Sequence, residues 1–286
     1  MILILGASGY IGSHLYRSFG PQRAIGTHKS RSLPGTVFFD AQRMSVSEVL
    51  GSRRDVTHAV FCFAEARLDV CRAEPARTYE VNVRSTRRVL EELIDRGIKP
   101  VFLSSDCVFD GEKGGYCEED SRRPITVYGS HKLEVEDYLK GKPGLVLRLP
   151  KIFGTEPDDG TILSKWIPEI LRGGEIRCAI DQRFSPLHIE DLIRAIQIAV
   201  ERDLSGEFHV ANPSHYSWFQ LCETLLRTMR VSRPVVACRI RDFGLLENRP
   251  LNLSMNPAKF MAATGFSPRT VEDCCLELVQ RVHSLS

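Results

Sequence analysis

The sequence lacks any apolar run long enough to cross a bilayer, which takes about 20 residues; its opening run, Met1 to Leu5, stops after five. That run has no basic flank and no small-residue cleavage site, so it reads as structure and not as a signal peptide. No Cys-x-x-Cys pair occurs among its nine cysteines, and the odd, scattered set fits neither a disulfide framework nor a zinc site. Cys62 and Cys178 sit in apolar surroundings and read as small core residues. Neither charge sign dominates: 38 Lys and Arg against 36 Asp and Glu leave +2, too little to argue for nucleic acid or a membrane surface as partner. Repeats and low-complexity tracts are missing as well. What remains, 286 residues that are 43% hydrophobic and 26% charged, is an ordinary globular chain of one large or two modest domains, expected to be reduced, cytoplasmic and metal-free.

The first dozen residues organise the rest. The apolar run is followed at once by Gly6-Ala7-Ser8-Gly9-Tyr10-Ile11-Gly12 and then by a helical pattern from Ser13. A short apolar run reads as a strand buried on both faces, as in parallel α/β sheets. Glycines at 6, 9 and 12 permit a tight turn, backbone approach to a phosphate and close helix packing. The helix N-terminus then offers free N–H groups and a positive dipole end to a pyrophosphate. A glycine triplet alone is weak; placed between strand and helix it reads as a dinucleotide site.

Further along, strand-like and helix-like segments alternate. Strands are expected at 23–27, 36–40, 57–64, 99–105 and 145–149, and helices at 45–50, 76–96 and 127–139. This alternation predicts a Rossmann-type, doubly wound parallel sheet, with ligands beyond the carboxyl ends of the strands. Past residue 154 the rhythm loosens, with helices expected at 162–172, 189–201, 217–229, 256–264 and 271–282 and a strand at 206–211. Residues 1–154 are therefore expected to form the dinucleotide-binding domain, with 189–211 returning to it. Residues 155–188 and 212–286 would form a smaller C-terminal α/β substrate-binding lobe.

Three constellations carry chemistry. The end of the second strand is Thr27-His28-Lys29-Ser30-Arg31, with cations and hydroxyls where an NAD site places an acid, which favours NADP and leaves NAD as the alternative. Asp40, just past the third strand, is placed to accept from the adenine amino group. Tyr128 and Lys132 stand four residues apart and so share a helical face. An ammonium beside a tyrosine is expected to lower its pKa and let it exchange a proton with a carbonyl or alcohol. Ser105 ends a strand at the same sheet edge and can donate to the developing oxyanion.

Taken together, the glycine loop, Ser105, Tyr128 and Lys132 resemble the extended short-chain dehydrogenases/reductases, the sugar-nucleotide epimerase/dehydratase group. Within it the chain is similar to the dTDP-4-dehydrorhamnose reductase type, through residues 68–75, 79–83, 103–111, 148–154, 181–186 and 249–253. The resemblance implies that Ser105, Tyr128 and Lys132 are catalytic, with Lys132 also on the nicotinamide ribose. It implies that Tyr10, Ile11, Asp40, Ala41, Phe63, Ala64 and Glu65 line the cofactor. The activity so implied is NADPH-dependent reduction of the C4 keto group of a nucleotide-linked 4-keto-6-deoxysugar.

Departures from the family pattern are informative. The family's dehydratases follow the catalytic hydroxyl residue with an Asp-Glu pair, whereas here Asp106 precedes Cys107, which argues against elimination of water. Lys151 stands where the rhamnose-type reductases have a tryptophan, at a substrate-facing position beside Ser105 and Asp106, so the sugar itself stays open. His188 before Glu190 and Asp191 reads as structural, since acids suit a helix start. Asn82 either packs near the active site or is a plain surface residue. Two other functions stay open: a non-catalytic NADP-binding regulatory subunit resembling methionine adenosyltransferase β, and a sugar-nucleotide epimerase that retains its dinucleotide. A homodimer also stays open.

Overall fold

The computed structural model describes residues 1–284. Seven strands form one all-parallel sheet: β1 (Ile2–Leu5), β2 (Ala24–His28), β3 (Val37–Phe38), β4 (His58–Phe61), β5 (Lys99–Ser105), β6 (Leu145–Leu149) and β11 (Gly206–His209). Their order is β11-β6-β5-β4-β1-β2-β3. The four residues of β1 are all buried, as an unbroken apolar run requires when both faces are covered. On one face α1 (Tyr10–Phe19) and α8 (Ile189–Glu201) pack through Leu15, Phe19, Leu192 and Ile196. On the other, α2 (Val46–Leu50), α5 (Thr86–Asp95) and α6 (Val127–Leu139) bury Val46, Leu90, Leu93 and Val135. The chain reverses direction across the sheet between β1 and β4, and the glycine loop opens at that switch point, where such sheets bind ligands.

One expected helix is three segments. Residues 76–96 contain α4 (Pro75–Tyr79), a π-helical stretch Glu80–Ser85 and then α5. The wide turn is stitched by side chains, Ser85 Oγ donating to the Glu80 carbonyl and Thr86 Oγ1 to that of Val81. A further helix, α3 (Leu68–Ala73), precedes it where no helix was expected. The strand expected over 57–64 ends at Phe61, and the one expected over 36–40 is only Val37 and Phe38.

A second core gathers beyond β6, where α7 (Ile162–Arg172), α9 (Trp218–Met229) and α11 (Val271–Ser284) bury Leu163, Ile170, Leu225 and Leu278. Short pairings there have no counterpart in the sequence pattern. β7 (Ile152–Phe153) runs parallel to β10 (Leu187–His188), β9 (Arg183–Phe184) antiparallel to β12 (Tyr216–Ser217), and β8 (Ile176–Ala179) parallel to β13 (Val235–Cys238). The last helix before α11 is α10 (Ala258–Thr264). His188 caps α8, its imidazole accepting from the Glu190 N–H. Among the described residues, no helix is long and apolar enough to cross a membrane.

Candidate active site

The glycine loop is built for a close neighbour. Gly6 has φ +85°, a left-handed conformation that suits glycine, and a Cβ on Gly12 would collide with the Gly6 carbonyl oxygen. A Cβ on Gly9 would meet only ordinary contacts, the nearest at 3.5 Å, so the loop is open on that side. Gly9 caps α1 without a side-chain acceptor, leaving the first N–H groups of the helix for an anion. Ser8 is gripped from above: the Arg31 guanidinium donates to its carbonyl at 2.8 Å.

Two cavities flank this loop, Gly6 lining one and Ile11 the other. The first, about 240 Å³, is lined by Gly6, His28, Lys29, Asp40, Ala41, Phe63, Ala64 and Glu65. Asp40 is engaged in it already, pairing with Lys29 at 2.9 Å and accepting from the Gln42 N–H at 3.0 Å. Burial would raise its pKa, but those two bonds outweigh it and lower it. Lys29 is thus tied to a carboxylate, Ser30 is exposed, and Arg31 is the cation at the loop that forms no ion pair among the described residues. The second cavity, about 170 Å³, is lined by Ile11, Phe63, Ala64, Ser105, Tyr128 and Lys132. Cys62 lines it too; half-buried, it packs against the main core from the cavity side.

Ser105 is the last residue of β5, and Tyr128 and Lys132 lie in the first half of α6, whose start Thr126 caps by accepting from Gly129 N–H at 3.0 Å. The helix is pinned from behind. Fully buried Arg148 bridges Glu136 at 2.8 Å and Glu207 at 2.6 Å, while Ser104 donates to the same Glu136 carboxylate. One turn before Glu136, the Lys132 ammonium donates to the Leu103 carbonyl at 2.7 Å and lies 5.6 Å from the centre of the Tyr128 ring. Burial pulls its pKa down to about 8, against the pull of Glu136.

One expectation is corrected here. The Tyr128 pKa is raised and not lowered, by burial first and then by Cys107 and Asp106. Lys132 is turned to a carbonyl and does not offset that. Tyr128 therefore carries its proton at neutral pH. Asp106, which follows Ser105 in the chain, is 6% exposed and accepts from the Ser105 hydroxyl at 2.9 Å. Burial pushes its pKa up to about 6.

A third cavity of about 620 Å³ adjoins the second, Ile152 lining both. Lys151 and Tyr10, the latter expected on the cofactor, line this one, with Lys165, Trp166, Arg177, Trp218 and Phe243. Lys151 is open to solvent and holds its ammonium 5.9 Å from the centre of the Trp218 ring, so an aromatic wall reappears from α9. That ring is fixed by its N–H donating to Gln182 at 2.7 Å. Among the described residues neither Lys165 nor Arg177 forms an ion pair; Arg177 lies over Phe243 at 5.7 Å. Sequence reasoning missed this wall because its residues come from four separate segments.

Asn82 resolves to the buried alternative. It is 4% exposed in the π-helical stretch and clasps the backbone of Glu65, accepting from its N–H at 2.8 Å and donating to its carbonyl at 2.9 Å. Glu65 in turn pairs with Arg67 at 2.7 Å. Among the described residues no group of three or more His, Cys, Asp or Glu side chains could hold a metal ion.

Comparison with known proteins adds to this geometry. The family model described as the RmlD substrate binding domain matches residues 1–284. The chain is 26% identical over 285 residues, covering 94% of both proteins, to the probable low-salt glycan biosynthesis reductase Agl14 of Haloferax volcanii. It is 32% identical over 227 residues to methionine adenosyltransferase 2 subunit beta of Rattus norvegicus, covering 73% of this chain and 66% of that one. Among solved structures, a hypothetical dTDP-4-dehydrorhamnose reductase from Sulfolobus tokodaii superposes with TM-score 0.84 at 25% identity, covering 95% of this chain and 98% of that one. The dTDP-4-dehydrorhamnose reductase of Bacillus anthracis, solved in complex with NADP, shares the fold with TM-score 0.84 at 23% identity, covering 100% and 99%.

Proposed function

The chain belongs to the RmlD substrate binding domain family, and from that premise we propose that it is an NADPH-dependent reductase of the C4 keto group of a nucleotide-linked 4-keto-6-deoxysugar. The observation that carries the reading is the position of Ser105, Tyr128 and Lys132, on one cavity beside the glycine loop that shares Ile152 with the larger cavity. NADPH, when bound, supplies the hydride that goes to the carbonyl carbon. Tyr128, protonated at neutral pH, gives its phenolic proton to the carbonyl oxygen. Ser105 donates a hydrogen bond to the same oxygen as charge develops there. Lys132 holds the ribose hydroxyls and keeps a cation beneath the tyrosine. Arg31, the cation at the loop without an ion pair among the described residues, supports a 2′-phosphate, hence NADPH before NADH. Lys165 and Arg177 carry unpaired charge for the sugar's diphosphate, and Trp166 and Trp218 offer it apolar faces. Residues 1–154 with 189–211 hold the cofactor in this reading, and the remaining segments the sugar nucleotide.

Mixing the protein with NADPH and a panel of nucleotide 4-keto-6-deoxysugars tests this through the loss of NADPH absorbance. No oxidation with any of them, despite tight NADPH binding, would sink the reductase. A regulatory-subunit reading is favoured by one finding, the methionine adenosyltransferase 2 subunit beta relatives at 25–32% identity. Co-purification of a stoichiometric partner enzyme, with no turnover of any sugar nucleotide, would select it.

A further inference from the structure

Tyr10 belongs to two sites at once. It is the first residue of α1, so its backbone N–H is among those the glycine loop presents to a pyrophosphate. Its hydroxyl points the other way and donates to Asp159 Oδ2 at 3.1 Å, 149 residues along the chain. Tyr10, Asp159, Gly160 and Thr161 all line the large cavity.

Asp159 is what orders that wall. Its other oxygen accepts from the Thr161 N–H at 2.8 Å and from Ser164 Oγ at 2.7 Å, shaping the turn that starts α7. Helix α7 carries Lys165 and Trp166 into the cavity. Gly154 marks how tightly the segment is seated: a Cβ there would collide with both the Tyr10 hydroxyl and the Asp159 carboxylate. His14, one turn along α1, packs edge-on against the Tyr10 ring at 5.1 Å. Across this face Tyr10 is the side chain of the glycine loop that hydrogen-bonds the 154–161 segment.

We propose that Tyr10 is a positioning residue that couples the two ligand sites: fixing the glycine loop with a dinucleotide fixes Asp159, and with it the wall that receives the nucleotide sugar. The inference rests on the reading above that a sugar nucleotide occupies the large cavity. A dinucleotide on the N–H groups of Tyr10 and Ile11 restricts the backbone that carries the phenol. The phenol then holds the 154–161 segment in its ligand-ready arrangement, so the second ligand meets less ordering cost. Linkage requires the effect to be reciprocal and equal in size. Each ligand therefore binds more tightly once the other is in place.

The test is calorimetric titration of the full chain with dTDP and with UDP, in the absence and presence of saturating NADP⁺, and the reverse titration. The expected result is a tightening of about fivefold or more, the same factor in both directions, within the usual range of coupling between sites. Tyr10→Phe removes only the hydroxyl and should bring that factor close to one. As an independent readout, amide exchange in 155–165 should slow when NADP⁺ binds the wild type and stay unchanged in Tyr10→Phe. If both ligands bind the wild type independently, or Tyr10→Phe keeps the full factor, the coupling is overturned while the reductase reading stands. If NADP⁺ binds and neither diphosphate does, the substrate reading falls first and the coupling with it.

Discussion

At Ser105 one hydroxyl has two claimants. It donates to Asp106 in the structure, and the proposed chemistry needs it to donate to the substrate's oxygen. Asp106 ionises with a pKa pushed up to about 6 by burial, so the competition is settled by pH. Above that value the carboxylate accepts the Ser105 proton; below it, protonated Asp106 donates to Oγ and frees the hydroxyl. The expected outcome is a kcat/KM that rises as pH falls through about 6. Asp106→Asn, whose amide donates at every pH, should flatten the profile at its upper level; an unchanged inflection would remove Asp106 from it. Tyr128 loses its proton only well above neutrality, so Tyr128→Phe should cost about 10²–10⁴ in kcat with NADPH affinity retained, measured by stopped-flow turnover and cofactor titration. At this scale the sequence was easily read: Ser105, Tyr128 and Lys132 lie together on one cavity, because strand end and helix start are set by local pattern. Proton affinities were not legible. They depend on Asp106 and Cys107 crowding Tyr128, a matter of burial that spacing does not encode.

The same division holds for elements. β5, α6, β6, α7 and α8 begin and end where periodicity and caps put them. The π-helical turn was invisible, because apolar positions continue on both sides of it and no glycine or proline marks the single wide turn. The wide turn delivers Asn82 to the backbone of Glu65, beside the cavity of about 240 Å³. Asn82→Ala leaves the Glu65 N–H without its partner and the Glu65 carbonyl with the Cys71 thiol alone, a cost of about 1–3 kcal/mol. A lower urea midpoint with an unchanged slope should report it, together with weaker NADPH binding. An unaltered midpoint would mean that the loop rearranges freely without the clasp. β8 and β13 escaped notice for a different reason: each is four residues long and is stabilised by a partner distant in the chain.

Across the whole molecule, the buried pair Arg148–Glu136 ties the last third of the sheet to the helix that carries Tyr128 and Lys132. Arg148→Met leaves the buried Glu136 carboxylate with Arg122 and Ser104 as its remaining partners, so it should cost up to about 3–5 kcal/mol in chemical denaturation, and adding Glu136→Leu should recover part of it. Single and double variants of equal stability would show the pair to be dispensable. The sheet was legible as a whole because strands buried on both faces are apolar and its crossovers have one hand. The large cavity was not, since only the tertiary fold brings Lys151, Lys165, Arg177 and Trp218 together.

The final strand of the sheet, β11, has a consequence for how the protein is made. It pairs with β6 only after residues 150–205 have emerged from the ribosome. Until then β6 is an open margin of unpaired N–H and C=O groups, and Arg148 waits for its second carboxylate, Glu207. A gene split after Gly154 would make that waiting state permanent. The 1–154 fragment alone is expected to self-associate through the margin, visible by sedimentation, and a separate chain spanning 189–211 to suppress this by filling the vacant place in the sheet.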